Sequence, residues 1–178
     1  MSMASQFGGG SSLPPTQTTN FFTSRTWVAP QNGILIMRAM GAGGGNQSPD
    51  LSWSGAPEGT KSFALTCYDP DAPTGSGWWH WVVYDIPASA TGLTLNAGAT
   101  GGAALPPGSK QGRTDFGSHE YGGAAPPPGH GPHRYIFTLY ALKTDKLDVT
   151  ADASAAYVGF NIHFAKIGEA KITATYER

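Results

Sequence analysis

The sequence predicts a mostly β domain with one prominent helix late in the chain, and three observations carry that prediction. From Trp27 onward, short apolar runs alternate with Gly/Pro turns, the pattern of strands rather than helices. Only the segment Ala153–Ile167 carries apolar residues at helical spacing. Composition agrees: 25 glycines and 14 prolines among 178 residues punctuate the chain, while 39% hydrophobic residues, including five Trp, seven Tyr and eight Phe, supply a core. A chain of this length ordinarily forms one domain.

The elements follow in order. Residues 1–23 read as a flexible tail, because Gly8-Gly9-Gly10-Ser11-Ser12 and Pro14-Pro15 form a linker-like stretch without charge. Residues 24–178 are then the single domain. Ile34 to Met40 is its first apolar run. Ser62–Tyr68 alternates, with Phe63, Leu65 and Cys67 on one face. Trp78–Ile86 and Arg134–Leu142, rich in aromatic and β-branched residues, are the strongest strands. The helix carries Tyr157, Phe160, Phe164 and Ile167 at spacings of three and four, with Thr150 or Asp152 as its cap and Gly168 at its C-terminal end. Lys171–Tyr176 closes the chain as a strand. Two long connections, about 87–110 and 111–132, have little regular pattern, and a compact domain keeps such loops where it binds something.

Charge and motifs exclude several functions. A net charge of −1 and the lack of any Lys/Arg run among the aromatics argue against nucleic acid. No stretch approaches the ~18 apolar residues of a membrane span, and the N-terminus lacks the basic and apolar regions of a secretory signal. The cytoplasm is therefore the expected compartment. Cys67 is the only cysteine, which excludes an internal disulfide and a cysteine metal cluster, and in mid-strand it reads as a small core residue. Asp69-Pro-Asp71 opens like a calcium loop, but Pro73 and His80 stand where ligands are needed. The Gly41–Gly45 run completes no nucleotide fingerprint. His130-Gly-Pro-His133 is thin support for a metal. No metal and no cofactor are expected.

Strand parity points to a pocket. Asp69 continues the apolar row Phe63, Leu65, Cys67; His80 shares parity with Val82, Tyr84 and Ile86; His133 and Tyr135 share parity with Phe137 and Leu139. Each polar residue thus ends a core-facing row, and the short connection from Asp69 to His80 brings two of those ends together. Buried polar groups need partners, and a carboxylate, two imidazoles and a phenol partner one another around a cavity. Such a set suits anion recognition. Asp69 orients a histidine and raises its proton affinity, while imidazole N–H groups, the Tyr135 hydroxyl and backbone N–H groups of Gly122–Ala125 donate to ligand oxygens. Asp71 and Glu120, by contrast, read as turn or solvated carboxylates, and the tryptophans as core, with those near His80 at the pocket mouth.

These residues also carry a resemblance. Tyr68-Asp69-Pro70-Asp71-Ala72-Pro73, Trp79-His80-Trp81-Val82-Val83 and Gly129-His130-Gly131-Pro132-His133-Arg134-Tyr135 resemble the signature blocks of the phosphatidylethanolamine-binding protein family, also called Raf kinase inhibitor-like. Asn46–Trp53 and Val158–Phe164 resemble its bacterial branch. The resemblance, over about residues 45–178, implies a central antiparallel sheet flanked by a smaller sheet, with an anion pocket at one end. Residue by residue it implies ligand-binding roles for Asp69, His80, His133 and Tyr135, a backbone N–H of Ala125 facing the anion, and pocket walls from Pro126 and Pro127. It also implies a cis peptide before Pro73 and, among bacterial relatives, pairing into homodimers. The sequence departs from the family before Asn46, and it stops at Arg178 without the C-terminal helix of animal members, which argues against lipid-headgroup specificity and kinase restraint.

Three functions remain in view. The first is a non-enzymatic binder of small phosphorylated or anionic molecules. The second is a cyclase or hydrolase using His80, His133 and Asp69 for acid–base chemistry. The third is a module that regulates a kinase or another protein.

Overall fold

The structure, a computed structural model, describes Thr18–Thr19 and residues 45–178. In chain order its strands are β1 (Thr18–Thr19), β2 (Leu51–Ser52), β3 (Ser62–Asp69), β4 (Trp78–Pro87), β5 (Gly92–Leu93), β6 (Lys110–Gln111), β7 (His133–Leu142) and β8 (Lys166–Tyr176), with helix α1 (Ala155–Ala165) before the last. The main antiparallel sheet runs β1-β8-β7-β3-β4-β6, and β2 pairs with β5 in a second, smaller one. This is the β-rich, one-helix architecture expected. Thr18 and Thr19 pair with Thr173 and Ile172, inside the segment set aside as a tail. The remainder of that segment and the run Ile34–Met40 lie outside the described residues.

The central strands are apolar on both faces because both faces are covered. On one face Phe63, Leu65, Cys67, Trp81, Tyr135, Phe137 and Leu139 pack with Leu51 and Leu93 of the small sheet. On the other, Ala64, Val82, Tyr84 and Leu142 pack under Ala155, Val158 and Ile162 of α1.

Parity holds along β3 and β7 and fails along β4. Val82 and Tyr84 lie on the α1 face, opposite Tyr135 and Phe137. Two register shifts account for this. Cys67 pairs with Trp81 but Tyr68 with Trp79, leaving His80 as an extra residue; Leu65 pairs with Val83 but Phe63 with Ile86, leaving an extra residue at Asp85, whose φ is +57°. Each extra residue flips the alternation. The first turns His80 toward Tyr135, with ring centroids 5.1 Å apart. His80 thus reaches the expected end of the core through a bulge, not through a shared row with Val82.

The helix also differs from expectation. Its cap is Ser154, whose hydroxyl accepts from the Tyr157 N–H at 3.2 Å, rather than Thr150 or Asp152. It ends without a glycine: Lys166 is already extended and opens β8, and Gly168 sits within that strand opposite Ala141. The aromatic row faces outward, with Tyr157 53%, Phe160 59%, Phe164 62% and Ile167 39% exposed. The helix has two apolar stripes, and the one with small side chains lies against the sheet, where a backbone can approach closely.

Candidate functional site

Asp69 ends β3 and opens a tight turn that returns the chain to β4 at Trp78. The turn is closed by its own polar groups. The Asp71 N–H donates to Asp69 Oδ1 at 2.8 Å, the Tyr68 hydroxyl to the Ser76 carbonyl at 2.9 Å, and the Thr74 hydroxyl to the Gly77 carbonyl at 2.5 Å. Gly77 adopts φ +67°, which brings the chain back under Tyr68. The described residues contain no cis peptide, so the bond before Pro73 is trans, contrary to the expectation drawn from the resemblance; these side-chain bonds close the turn without one. Asp71 is paired rather than solvated. Arg134 grips it with Nε and Nη2 and its backbone N–H, each at 2.8 Å, tying the turn to β7. That grip, above all the side-chain bonds, lowers the Asp71 pKa and raises that of Arg134.

The long 111–132 connection is stitched to the edge of β4. Gly112, Asp115 and Gly122 donate backbone N–H groups to Val82, Trp79 and His80 carbonyls at 2.8, 3.1 and 2.9 Å. Asn46, itself at φ +48°, clamps the far side, its Oδ1 accepting from the Gly123 N–H at 2.6 Å. Buried Tyr121 packs on Trp81, ring to ring at 5.6 Å. At the chain's end, Arg178 Nε donates to the Pro126 carbonyl at 3.0 Å. The loop is thereby fixed where Phe116 and Ala125–Pro127 form walls.

Turn, loop, β4 and β7 enclose a cavity of about 230 Å³ that is lined by Asp69, His80, Ala125, Pro127, His133 and Tyr135. All six residues selected from sequence therefore meet there. A larger cleft, about 440 Å³, lies beside the small sheet, but among the described residues that line it only Asp50 is ionisable. The smaller cavity holds the concentrated chemistry.

Its polar groups are arranged around one carboxylate. His133 Nδ1 lies 2.7 Å from Asp69 Oδ2, and His80 Nε2 lies 4.0 Å from the same oxygen. His80 Nδ1 is 2.7 Å from the Gly122 carbonyl, and His130 Nδ1 is 2.8 Å from His133 Nε2. The expectation that imidazole N–H groups donate freely to a ligand is therefore corrected. The Gly122 carbonyl takes the Nδ1–H of His80, and the Asp69 carboxylate takes the Nδ1–H of His133. The expected rise in proton affinity is also reversed at His80: burial pushes its pKa down and outweighs the Gly122 carbonyl and Asp69, which push it up. The Tyr135 hydroxyl is buried with no full hydrogen bond. Burial first, and Asp69 second, raise its pKa, with the Ala125 backbone partly offsetting them, so Tyr135 keeps its proton as a donor. Cys67 is fully buried beneath the site, and burial holds its thiol well above the usual range. It is no nucleophile.

The match to known proteins is broad. The family model described as phosphatidylethanolamine-binding protein covers residues 24–177. The chain belongs to this family. It is 55% identical to the UPF0098 protein YbcL of Escherichia coli over 80% of this chain and 78% of that protein, and 54% identical to YbhB of the same organism over 79% and 88%. The crystal structure of E. coli YbcL, described as a new member of the mammalian family, superposes with a TM-score of 0.76, covering 93% of this chain and 99% of the other at 48% identity.

Within this family member, sequence reasoning missed several contributors to the site. Phe116 packs edge-on against both His80 and Trp78, at 5.3 Å in each case, and roofs the cavity. Its only signal was an aromatic residue inside a polar, glycine-containing loop. Asn46 acts at a distance of 77 residues along the chain, which no local pattern reveals. His130 enters the sequence reading through its spacing from His133 and the Gly129–Tyr135 block, not as a site residue. Trp78, placed at the pocket mouth, does line the cavity; Trp81 and Trp53 are core. Glu120 meets the Thr100 hydroxyl outside the site.

Proposed function

We propose that this chain binds small phosphorylated or otherwise anionic molecules in the Asp69–His80–His133–Tyr135 cavity. The observation that carries this reading is the buried Tyr135 hydroxyl, whose O–H has no full hydrogen bond while facing a mostly apolar cavity. Leaving such a donor unpaired costs about 1–3 kcal/mol, and a ligand oxygen removes that cost. The cavity volume, about 230 Å³, lies below the range of drug-sized sites and suits phosphate or a short headgroup. Binding to the native state alone stabilises it by about 2.7 kcal/mol at a hundredfold excess over Kd, so phosphate, phosphoethanolamine or acetate should raise Tm by roughly 5–10 °C. No shift with any of the three would sink the reading. A second reading, acid–base chemistry on a small substrate, is favoured by the uncharged His80 Nε2, a base at the cavity wall. Turnover that disappears in a folded His80→Ala variant would establish it.

The proposed pairing of two copies has a surface to occupy. Tyr157, Phe160, Phe164 and Ile167 present on the order of 400 Å² of apolar area per copy, if each leaves about half of its surface in water. A two-fold contact doubles this, to the core of an ordinary dimer interface. With a net charge of −1, two copies repel little. Sedimentation should show a dimer that Phe160→Asp converts to monomer with no loss of Tm response to phosphate. A monomeric wild-type chain at every concentration would contradict it.

A further inference from the structure

The hydrogen-bond partners around the cavity fix where its protons are, and the result is unusual for an anion site. At His80, a carbonyl can only accept, so the 2.7 Å contact with Gly122 places the ring proton on Nδ1 and leaves Nε2 as a bare lone pair. At His133, Asp69 Oδ2 takes the Nδ1 proton at 2.7 Å, and Nε2 is engaged by His130 at 2.8 Å. Arg134 is turned away, gripping Asp71. Among the described residues, the side chains of the resting cavity therefore present two acceptors, the Asp69 carboxylate and His80 Nε2, and neutral donors only, the Tyr135 hydroxyl and Trp78, whose indole N–H is also unpartnered. A fully deprotonated oxyanion would meet a buried carboxylate with no lysine or arginine among the described residues that line the cavity, which a low-dielectric site penalises strongly.

A single added proton resolves the conflict. Placed at Nε2, it stands between His80 and Asp69 Oδ2, 4.0 Å away, and faces the ligand. We propose that each oxyanion bound in this cavity is accompanied by one proton held at His80 Nε2 or shared between it and a ligand oxygen. This rests on the anion-binding reading and narrows its ligand class. Phosphates and phosphate monoesters, which keep an acidic proton near neutral pH with a second pKa of about 6–7, deliver it themselves. Sulfates do not, and must draw it from solvent. The groups facing His80 are Asp69 from β3, His133 and Tyr135 from β7, and Asp115 of the loop, whose carboxylate is held at 2.8 Å by the Trp79 N–H. Phe116, the Gly122 carbonyl and the Gly123 backbone also border the ring. The depressed His80 pKa agrees, since burial leaves the ring uncharged until a ligand arrives.

Calorimetric titration of inorganic phosphate, in buffers of different ionisation enthalpy, counts the proton. At pH 8, where phosphate arrives mostly as the dianion, uptake of about one proton is expected, and at pH 5.5 uptake close to zero. Sulfate affinity should fall about tenfold per pH unit above pH 7, so that phosphate is preferred at neutral pH. In His80→Gln, which cannot titrate, the sulfate slope should vanish. Phosphate bound at pH 8 without proton uptake, or sulfate bound equally at pH 6 and pH 8, would overturn the inference while leaving anion binding intact. A slope that persists in His80→Gln would place the proton elsewhere and also overturn it; should that variant not fold, the wild-type proton count decides. Failure of both anions to bind at pH 6 would instead remove the underlying reading.

Discussion

Replacing Asp69 by alanine should destabilise the fold by about 3 kcal/mol, the scale for stripping a charged acceptor from buried partners. Asp69 is 2% exposed and serves two donors at once, the Asp71 N–H at 2.8 Å and His133 Nδ1 at 2.7 Å. His133, also 2% exposed, would be left with an N–H and no acceptor, while the turn would lose its first closing bond. Asp69→Asn keeps the shape and one acceptor oxygen, so its loss should be less than half as large. Thermal unfolding of both variants reads this out, with an expected drop of roughly 10 °C in Tm for the alanine form. Equal stability of Asp69→Ala and wild type would show that the carboxylate organises nothing.

Gly77→Ala is the second large effect, expected at about 2–3 kcal/mol. Two costs add. The backbone sits at φ +67°, where a Cβ costs about 1–2 kcal/mol, and that Cβ would lie 2.4 Å from the Tyr68 hydroxyl and 2.6 Å from the Asp69 carbonyl. Relief requires the turn to open, which moves Trp78 and the cavity wall with it. Gly75, two residues earlier in the same turn, is the control: a Cβ there meets nothing within 4 Å, and its φ is not positive. Gly75→Ala should therefore stay within about 0.5 kcal/mol of wild type. Denaturant melts in which the two variants behave alike would contradict the strain assigned to Gly77.

How far the sequence disclosed this molecule depends on how local each signal is. The rows ending in Asp69 and in His133 and Tyr135 were legible because β3 and β7 alternate without interruption at those ends, and period two suffices. His80 does line the cavity, but not by the row that placed it there. Its bulge depends on how β4 pairs with β3, which is a property of two strands and not of either one. The helix was found, but its buried face was not, because aromatic residues give the stronger periodic signal while Ala155, Val158, Ile162 and Ala165 give the closer packing. Phe116 and Asn46 reach the site through loop contacts across long stretches of sequence, and nothing in their neighbours marks them. The proton positions at His80 and His133 were beyond any pattern. They depend on a carbonyl and a carboxylate oxygen being within 2.7 Å.

The proposed anion site is the small cavity at the end of the main sheet. A crystal soaked in phosphate tests it most directly. Tetrahedral density is expected between His80 Nε2 and the Tyr135 hydroxyl, near the Ala125 backbone, with the Gly122 and Asp69 contacts to the two histidines retained. A cavity that stays free of phosphate at saturating concentration, or phosphate bound only at other surfaces, would contradict the account.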